Sequence, residues 1–166
     1  MSGYTVNSTV IKKDIEELFL IINNLKNWPV LHDYNKAEFL EKKKLVDGKI
    51  RIKFRLTSNE EDDDDDDPRT WVSQRIIDRK TYSARGVRLE PMFPFKHWIL
   101  DILLTPEKDG TRMTWVQDFA IDPKTGHTDE EIEGYINKGS VPELEHFKNK
   151  LESGEINEKL DESFFE

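Results

Sequence analysis

The chain contains no cysteine, which removes disulfides, thiol chemistry and thiolate metal sites from consideration. It has only four histidines, and no pair of them stands at a metal-binding spacing, so no metal is expected. Apolar runs approaching the ~20 residues needed to cross a bilayer are also missing. The start, Met1-Ser-Gly-Tyr4, lacks a basic segment followed by an apolar one and reads as no secretion signal. These absences fit a cytoplasmic protein with no membrane partner. A positive surplus is lacking too: the net charge of −9 argues against nucleic acid, whose phosphates call for a basic face. With 166 residues, one domain with a sizeable core is the simplest expectation.

Much of the acidity is local. Glu60, Glu61 and Asp62 to Asp67 run consecutively and are closed by Pro68. Charges this dense repel and stay solvated, so residues 58–68 read as an acidic flexible hairpin loop. A calcium loop would need alternating ligands and a glycine, which the run does not have. Without it the chain is close to neutral, so bulk acidity says little about a ligand.

Hydrophobic spacing organises the rest. Tyr4 to Ile11 alternates as a first strand. Lys13 to Ile22 shifts to helical spacing, with Ile15, Leu18, Phe19 and Ile22 on one stripe. A second short helical turn is expected from Trp28 to Tyr34. Six strands follow, at Ala37–Lys44, Lys49–Thr57, Arg69–Asp78, Thr81–Arg88, His97–Thr105 and Thr111–Ile121. A long helix from Thr128 to about Leu151 opens with a capping box to Glu131. Residues 1–152 thus form the domain, and 153–166 a polar, frayed tail. A helix laid over a curved antiparallel sheet leaves a cavity between them.

Strand parity sorts the cavity candidates. In Arg69 to Asp78, Trp71, Ser73 and Arg75 share a face opposite Val72, Gln74 and Ile76. An apolar core has no use for a flat aromatic, a hydroxyl and a permanent cation in a row, because an unpartnered buried guanidinium costs several kcal/mol. A pocket for a flat, oxygen-rich molecule does. Trp115, Gln117 and Phe119 share a face; so do Trp98, Leu100, Ile102 and Leu104, with Asp101 outward. Tyr82, Ala84, Gly86 and Arg88 fall together on another strand. His32 and His146 read as surface helix positions.

At Trp71-Val-Ser-Gln-Arg75, Gly110-Thr-Arg-Met-Thr-Trp-Val-Gln-Asp-Phe119 and Asn27-Trp-Pro29 the chain resembles the single-domain aromatase/cyclases of bacterial type II polyketide synthases, the tetracenomycin kind. The likeness runs from about Val6 to Leu151. It implies an α+β helix-grip fold of the Bet v 1/START-like superfamily: a curved antiparallel sheet of about seven strands around a long C-terminal helix, with two short helices after the first strand. It also implies a cofactor-independent reaction: a linear poly-β-ketone on an acyl carrier protein is folded, closed by aldol addition and aromatised by water loss, alongside other synthase subunits. By matching motif, Arg75 takes the place of the family's pocket arginine, with Ser73 and Tyr34 as the other catalytic candidates. Trp28, Trp71, Arg88, Trp115 and Gln117 fall on substrate-binding positions; Trp98 and Tyr82 join them from the parity argument. Departures are Arg69 where the family often has tryptophan, an inserted Pro91-Met-Phe-Pro94, and Asp101-Ile102 where it has His-Trp.

Other readings of the same residues stand beside this one. Each tryptophan could be plain core, Arg75 a structural ion pair with Glu38 or Glu90, and Arg88 a strand-end arginine reaching solvent. A non-catalytic binder of lipid, quinone or sterol, or an assembly factor for other synthase subunits, would share the fold. Lys42 to Lys44, Arg79-Lys80 and Lys148 to Lys150 are candidates for a basic rim facing an acidic carrier.

Overall fold

The computed structural model describes residues 2–32, 34–58 and 69–166. The acidic run at 60–67 lies outside the described residues. In chain order the elements are β1 (Gly3–Ile11), α1 (Ile15–Ile22), a 3-10 turn at Leu25–Asn27, α2 (Trp28–Leu31), β2 (Tyr34–Lys44), β3 (Ile50–Ser58), β4 (Thr70–Asp78), β5 (Ser83–Glu90), β6 (Phe95–Glu107), β7 (Gly110–Ile121) and α3 (Asp129–Glu152). The strands form one seven-stranded sheet in the order β1-β7-β6-β5-β4-β3-β2, every pair antiparallel. This is the expected α+β helix-grip fold.

Alternation decides which face is inside. Along β7 the residues Thr111, Met113, Trp115, Gln117, Phe119 and Ile121 are buried while their neighbours are half-exposed. On β6 Leu100, Ile102 and Leu104 are buried, and Asp101 faces out to meet Arg85 at 2.7 and 3.0 Å. Register breaks between Tyr34 and Lys36 and between Phe39 and Glu41 in β2, at Leu89 near the end of β5 and at the start of β6 bend the sheet.

Two helical ends cover the inner face. Asp14 caps α1 by accepting from the Glu16 N–H at 3.2 Å, and Leu18, Phe19, Ile21 and Ile22 sink into the core. Thr128 caps α3 through the Glu131 N–H at 3.1 Å. The helix buries Ser140, Leu144, Phe147 and Leu151, a stripe at spacings of three and four. Its flank is tied to β1, where Glu133 accepts from the Tyr4 N–H and Asn137 from Asn7.

Three local expectations change. Strand β2 begins at Tyr34, three residues earlier than Ala37, because the helical turn ends at Leu31. Tyr82 lies before β5 in a turn with φ of 51°, which breaks its parity with Ala84, Gly86 and Arg88. The tail is not frayed: Leu160 N–H donates to Leu20 O at 3.1 Å, the Glu158 carbonyl accepts from Asn24 and Asn27, and Glu162 holds Arg79 at 2.8 Å. Phe165 stacks on Phe19 with centroids 6.4 Å apart. The apolar pair Phe164-Phe165 supplies burial that the tail's polar composition hides. Phe165→Ala is therefore expected to lower stability by about 1–2 kcal/mol; an unchanged urea midpoint would show that the tail contributes nothing.

Candidate active site

The inner faces of β3 to β7 and the residues after α1 enclose a cavity of about 250 Å³. Aromatic and aliphatic side chains wall it: Trp28, Phe54, Leu56, Trp71, Phe95, Trp98, Leu100 and Ile136. The polar groups among them are few, namely His32, Tyr34, Ser73, Arg75, Arg88 and Gln117. Gly86 sits between Arg75 and Leu100 in register. A Cβ there would meet nothing closer than 3.8 Å, so the absent side chain leaves room beside the guanidinium.

Arg75 is 5% exposed. Its Nη1 donates to the Ile22 carbonyl at 3.3 Å and to Asn23 Oδ1 at 3.2 Å. Its guanidinium carbon lies 4.1 Å from the Trp28 ring centroid. The charge thus rests on the C-terminal end of α1, where carbonyls gather negative potential, and on an aromatic face. It has no ion-pair partner among the described residues; Glu38 instead meets Lys36 and Arg55. Burial pushes the guanidinium pKa down to about 10, which leaves it protonated at neutral pH. Its Nε and the Ser73 hydroxyl oxygen are buried without a hydrogen-bond partner. Such unspent polar capacity costs stability and is what a ligand oxygen would satisfy.

Trp28 is held by its own donor, Nε1 to the Ile22 carbonyl at 2.8 Å, so Arg75 and Trp28 converge on one backbone oxygen. Tyr34 packs edge-on to Trp71 at 5.8 Å. Burial raises its phenol well above the ordinary tyrosine range, and its hydroxyl makes no hydrogen bond among the described residues. It remains a donor rather than a base. Gln117 accepts from Trp98 Nε1 at 3.2 Å and donates to Ser140 at 3.4 Å. Arg88 stands half-buried over Trp71, its Nε and Nη2 donating to the Pro91 and Phe93 carbonyls at 2.9 and 3.2 Å. These two carbonyls of the inserted segment thereby fix its direction instead of leaving it to solvent.

Two sequence candidates stand apart from the cavity. Tyr82 packs edge-on against Phe19 at 5.6 Å, on the α1 side, because its turn conformation takes it out of the strand's alternation. Trp115 is buried behind His32 and against Phe147, a core position next to the site. In the other direction, His32 lines the cavity although it read as a surface residue. Its Nδ1 is 3.5 Å from Glu143 Oε1 on α3, and its ring stacks on Tyr34 at 5.2 Å and 18°. The signal was present: Trp28 and His32 are four apart, which places them on one face of a helical turn.

A second, outer groove of about 690 Å³ shares Trp71, Arg88, Phe95 and Ile136 with the inner cavity and continues over Pro91, Phe93, His127 and Tyr135. None of the lysines expected at a rim lines it. Arg79 is engaged by Glu16 and Glu162, Lys42 by Phe164, and Lys148 by Val10 and Glu152. Among the described residues no three His, Asp or Glu come together as a metal site. No described helix is long and apolar enough to cross a membrane.

No family model matches the sequence. A Streptomyces cyaneus protein that carries the name of a polyketide cyclase is 30% identical over 92% of this chain and 95% of its own. A second, from Streptomyces halstedii, is 32% identical over 70% of this chain and all of its own length. The chain belongs to the polyketide cyclase family. Solved folds agree in shape. The aromatase/cyclase Zhui from Streptomyces sp. R1128 superposes with a TM-score of 0.69 at 16% identity, over 90% of this chain and 93% of that one. The di-domain aromatase/cyclase BexL gives 0.71 at 14% identity over 90% of this chain, which spans 46% of that longer protein. A START superfamily protein from Mycobacterium smegmatis gives 0.67 at 13% identity, covering 93% and 97% of the two chains.

The buried imidazole gives this cyclase a measurable pH dependence. Burial, the largest influence, holds His32 below its ordinary value of 6.5, against the pull of Glu143. The unfolded chain then binds more protons than the folded one just below pH 6.5, so stability falls as pH drops through that window. In His32→Gln that part of the acid loss is expected to vanish, read as the difference in urea midpoints between pH 7.5 and pH 5.5; parallel curves would place His32 in solvent.

Proposed function

We propose that the protein is an aromatase/cyclase that receives a linear poly-β-ketone tethered to an acyl carrier protein. It folds the chain in the inner cavity, closes a ring by intramolecular aldol addition and aromatises it by loss of water. The observation that carries this reading is Arg75, a cation kept dry by an aromatic face and neutral oxygens and without a counterion among the described residues. A developing enolate or alkoxide oxygen is the charge such a site is built to receive. Arg75 stays protonated at neutral pH and so is no base; its role is electrostatic.

Tyr34, kept protonated by burial, donates to a neighbouring carbonyl and sharpens its electrophilicity. The unsatisfied Ser73 hydroxyl orients a second oxygen or a water. Among the described residues no histidine is hydrogen-bonded to the Ser73 hydroxyl, so it is not activated as a nucleophile. Trp28, Trp71 and Trp98 supply flat walls that favour a bent chain over an extended one. Gln117 fixes Trp98, and Arg88 sits where the inner cavity meets the outer groove, suited to a carbonyl of the chain still outside. Trp115 buttresses this wall from behind. A cavity on the order of 150 Å³ holds one benzene molecule, so an inner space of about 250 Å³ suits one forming ring with its substituents. The remainder of the chain and its tether would lie along the outer groove.

A binder of lipid, quinone or sterol is the other reading of the fold, and Arg75 separates the two. Arg75→Met fills similar volume without charge. Removing an uncompensated buried cation leaves stability equal or higher, while loss of the electrostatic donor lowers cyclisation ~100–1000-fold. The measurement is product identity and rate in a reconstituted minimal synthase, with thermal unfolding as control. A stable variant that still directs the same ring would make the protein a carrier or scaffold. Gly86→Val is a second probe: it is expected to fold normally, since a Cβ meets nothing closer than 3.8 Å, yet to crowd the space beside Arg75 and shift the product spectrum of the reconstituted synthase. An unchanged product spectrum would place the ring elsewhere.

A further inference from the structure

We propose that His32 is a further catalytic residue of this site: an imidazole held by Glu143 through Nδ1, whose Nε2 takes the methylene proton that starts ring closure. This rests on the aldol reading above and adds the proton acceptor that reading lacks. Arg75 is a cation, Tyr34 stays protonated and the Ser73 hydroxyl is hydrogen-bonded to no base among the described residues, so none of the three accepts a proton from carbon.

The geometry supports the assignment from three sides. His32 lines the inner cavity beside Tyr34, Ser73 and Arg75. Its ring is clamped between Tyr34, stacked at 5.2 Å, and Phe147, edge-on at 4.7 Å, with Trp28 edge-on at 5.9 Å. Glu143 reaches Nδ1 at 3.5 Å from α3, a long contact of the kind that tightens when substrate fills a site. A carboxylate at Nδ1 selects the tautomer with the proton there and leaves the Nε2 lone pair on the far side of the ring from the helix. Nε2 has no hydrogen-bond partner among the described residues. The surroundings favour a neutral, ready base: burial outweighs Glu143, and Arg75 and His146 also oppose protonation.

The proton count closes without an oxidant or a second reactant. Nε2 removes a proton from the methylene between two ketones, and the C–H electrons form an enolate whose oxygen lies toward Arg75. The enolate carbon bonds to a second ketone carbon; the carbonyl π pair moves to its oxygen, which takes the proton back from the imidazolium. Neutral Nε2 then removes the remaining proton of the same carbon. The C–O bond breaks, and hydroxide leaves with that proton as water, giving the ring double bond.

The test uses the full chain with a minimal synthase that supplies the carrier-bound poly-β-ketone. His32→Gln is expected to lower cyclisation ~100–10,000-fold, the range of one acid–base group, and to abolish the loss of rate that the wild type shows as pH falls below its His32 ionisation. Glu143→Gln keeps the imidazole but weakens its orientation, so a smaller loss with the pH limb retained is expected. His32→Ala in millimolar imidazole should recover part of the rate, a rescue that a structural role would not produce. If His32→Gln folds and cyclises like the wild type, or if imidazole restores nothing to a folded His32→Ala, the assignment of His32 fails while the cyclase reading stands. If the wild type itself closes no ring, both fall together.

Discussion

One buried cation organises this molecule. Arg75 enters the interior from β4 and, among the described residues, meets no carboxylate, only the last carbonyl of α1, the Asn23 side chain and the face of Trp28. A charge in low dielectric stabilised only by dipoles and a quadrupole is costly. That cost is tolerated because α1, the turn after it and β4 are each fixed independently, α1 by its cap and four buried side chains, β4 by two ladders. The result is an electrostatic donor set before any ligand arrives, which is the condition for strong stabilisation of a developing oxyanion.

The fold's contribution is to keep that donor dry without filling the space in front of it. Glycine at 86 and the aromatic edges of Trp28, Trp71 and Trp98 leave a cavity where an ordinary core would close. Most packing weight is carried elsewhere, by Phe19, Ile50, Ile77, Met113 and Leu151, each fully buried. Trp28, Phe54, Leu56 and Leu100 belong to both, joining the core to the cavity wall. The docked tail adds to stability, with Phe164 and Phe165 packed against the core and Glu162 paired with Arg79.

Legibility from sequence followed the range of the interactions. Parity in β4, β6 and β7 was readable, since a half-buried strand must alternate, and with it the inward placing of Trp71, Ser73, Arg75, Trp98 and Gln117. Tyr82 was misplaced because a left-handed turn residue resets the count, and a tyrosine gives no local hint of that conformation. His32 was misread because an exposed-looking histidine at the end of a short helix becomes interior only when α3 crosses over it. Glu143 was invisible for the same reason: it lies more than a hundred residues away in sequence.

The amino-acid order by itself determined the alternating faces, the capped helices, the family resemblance and the row of aromatic, hydroxyl and cation on one strand, because those depend on contacts a few residues apart or on a motif. The tertiary structure alone decided that the cation meets carbonyl and amide oxygens and an aromatic face, that the histidine joins the tyrosine, and that the polar tail is anchored. Each of these turns on which distant groups arrive within about 3–6 Å of one another, and spacing along the chain does not encode that.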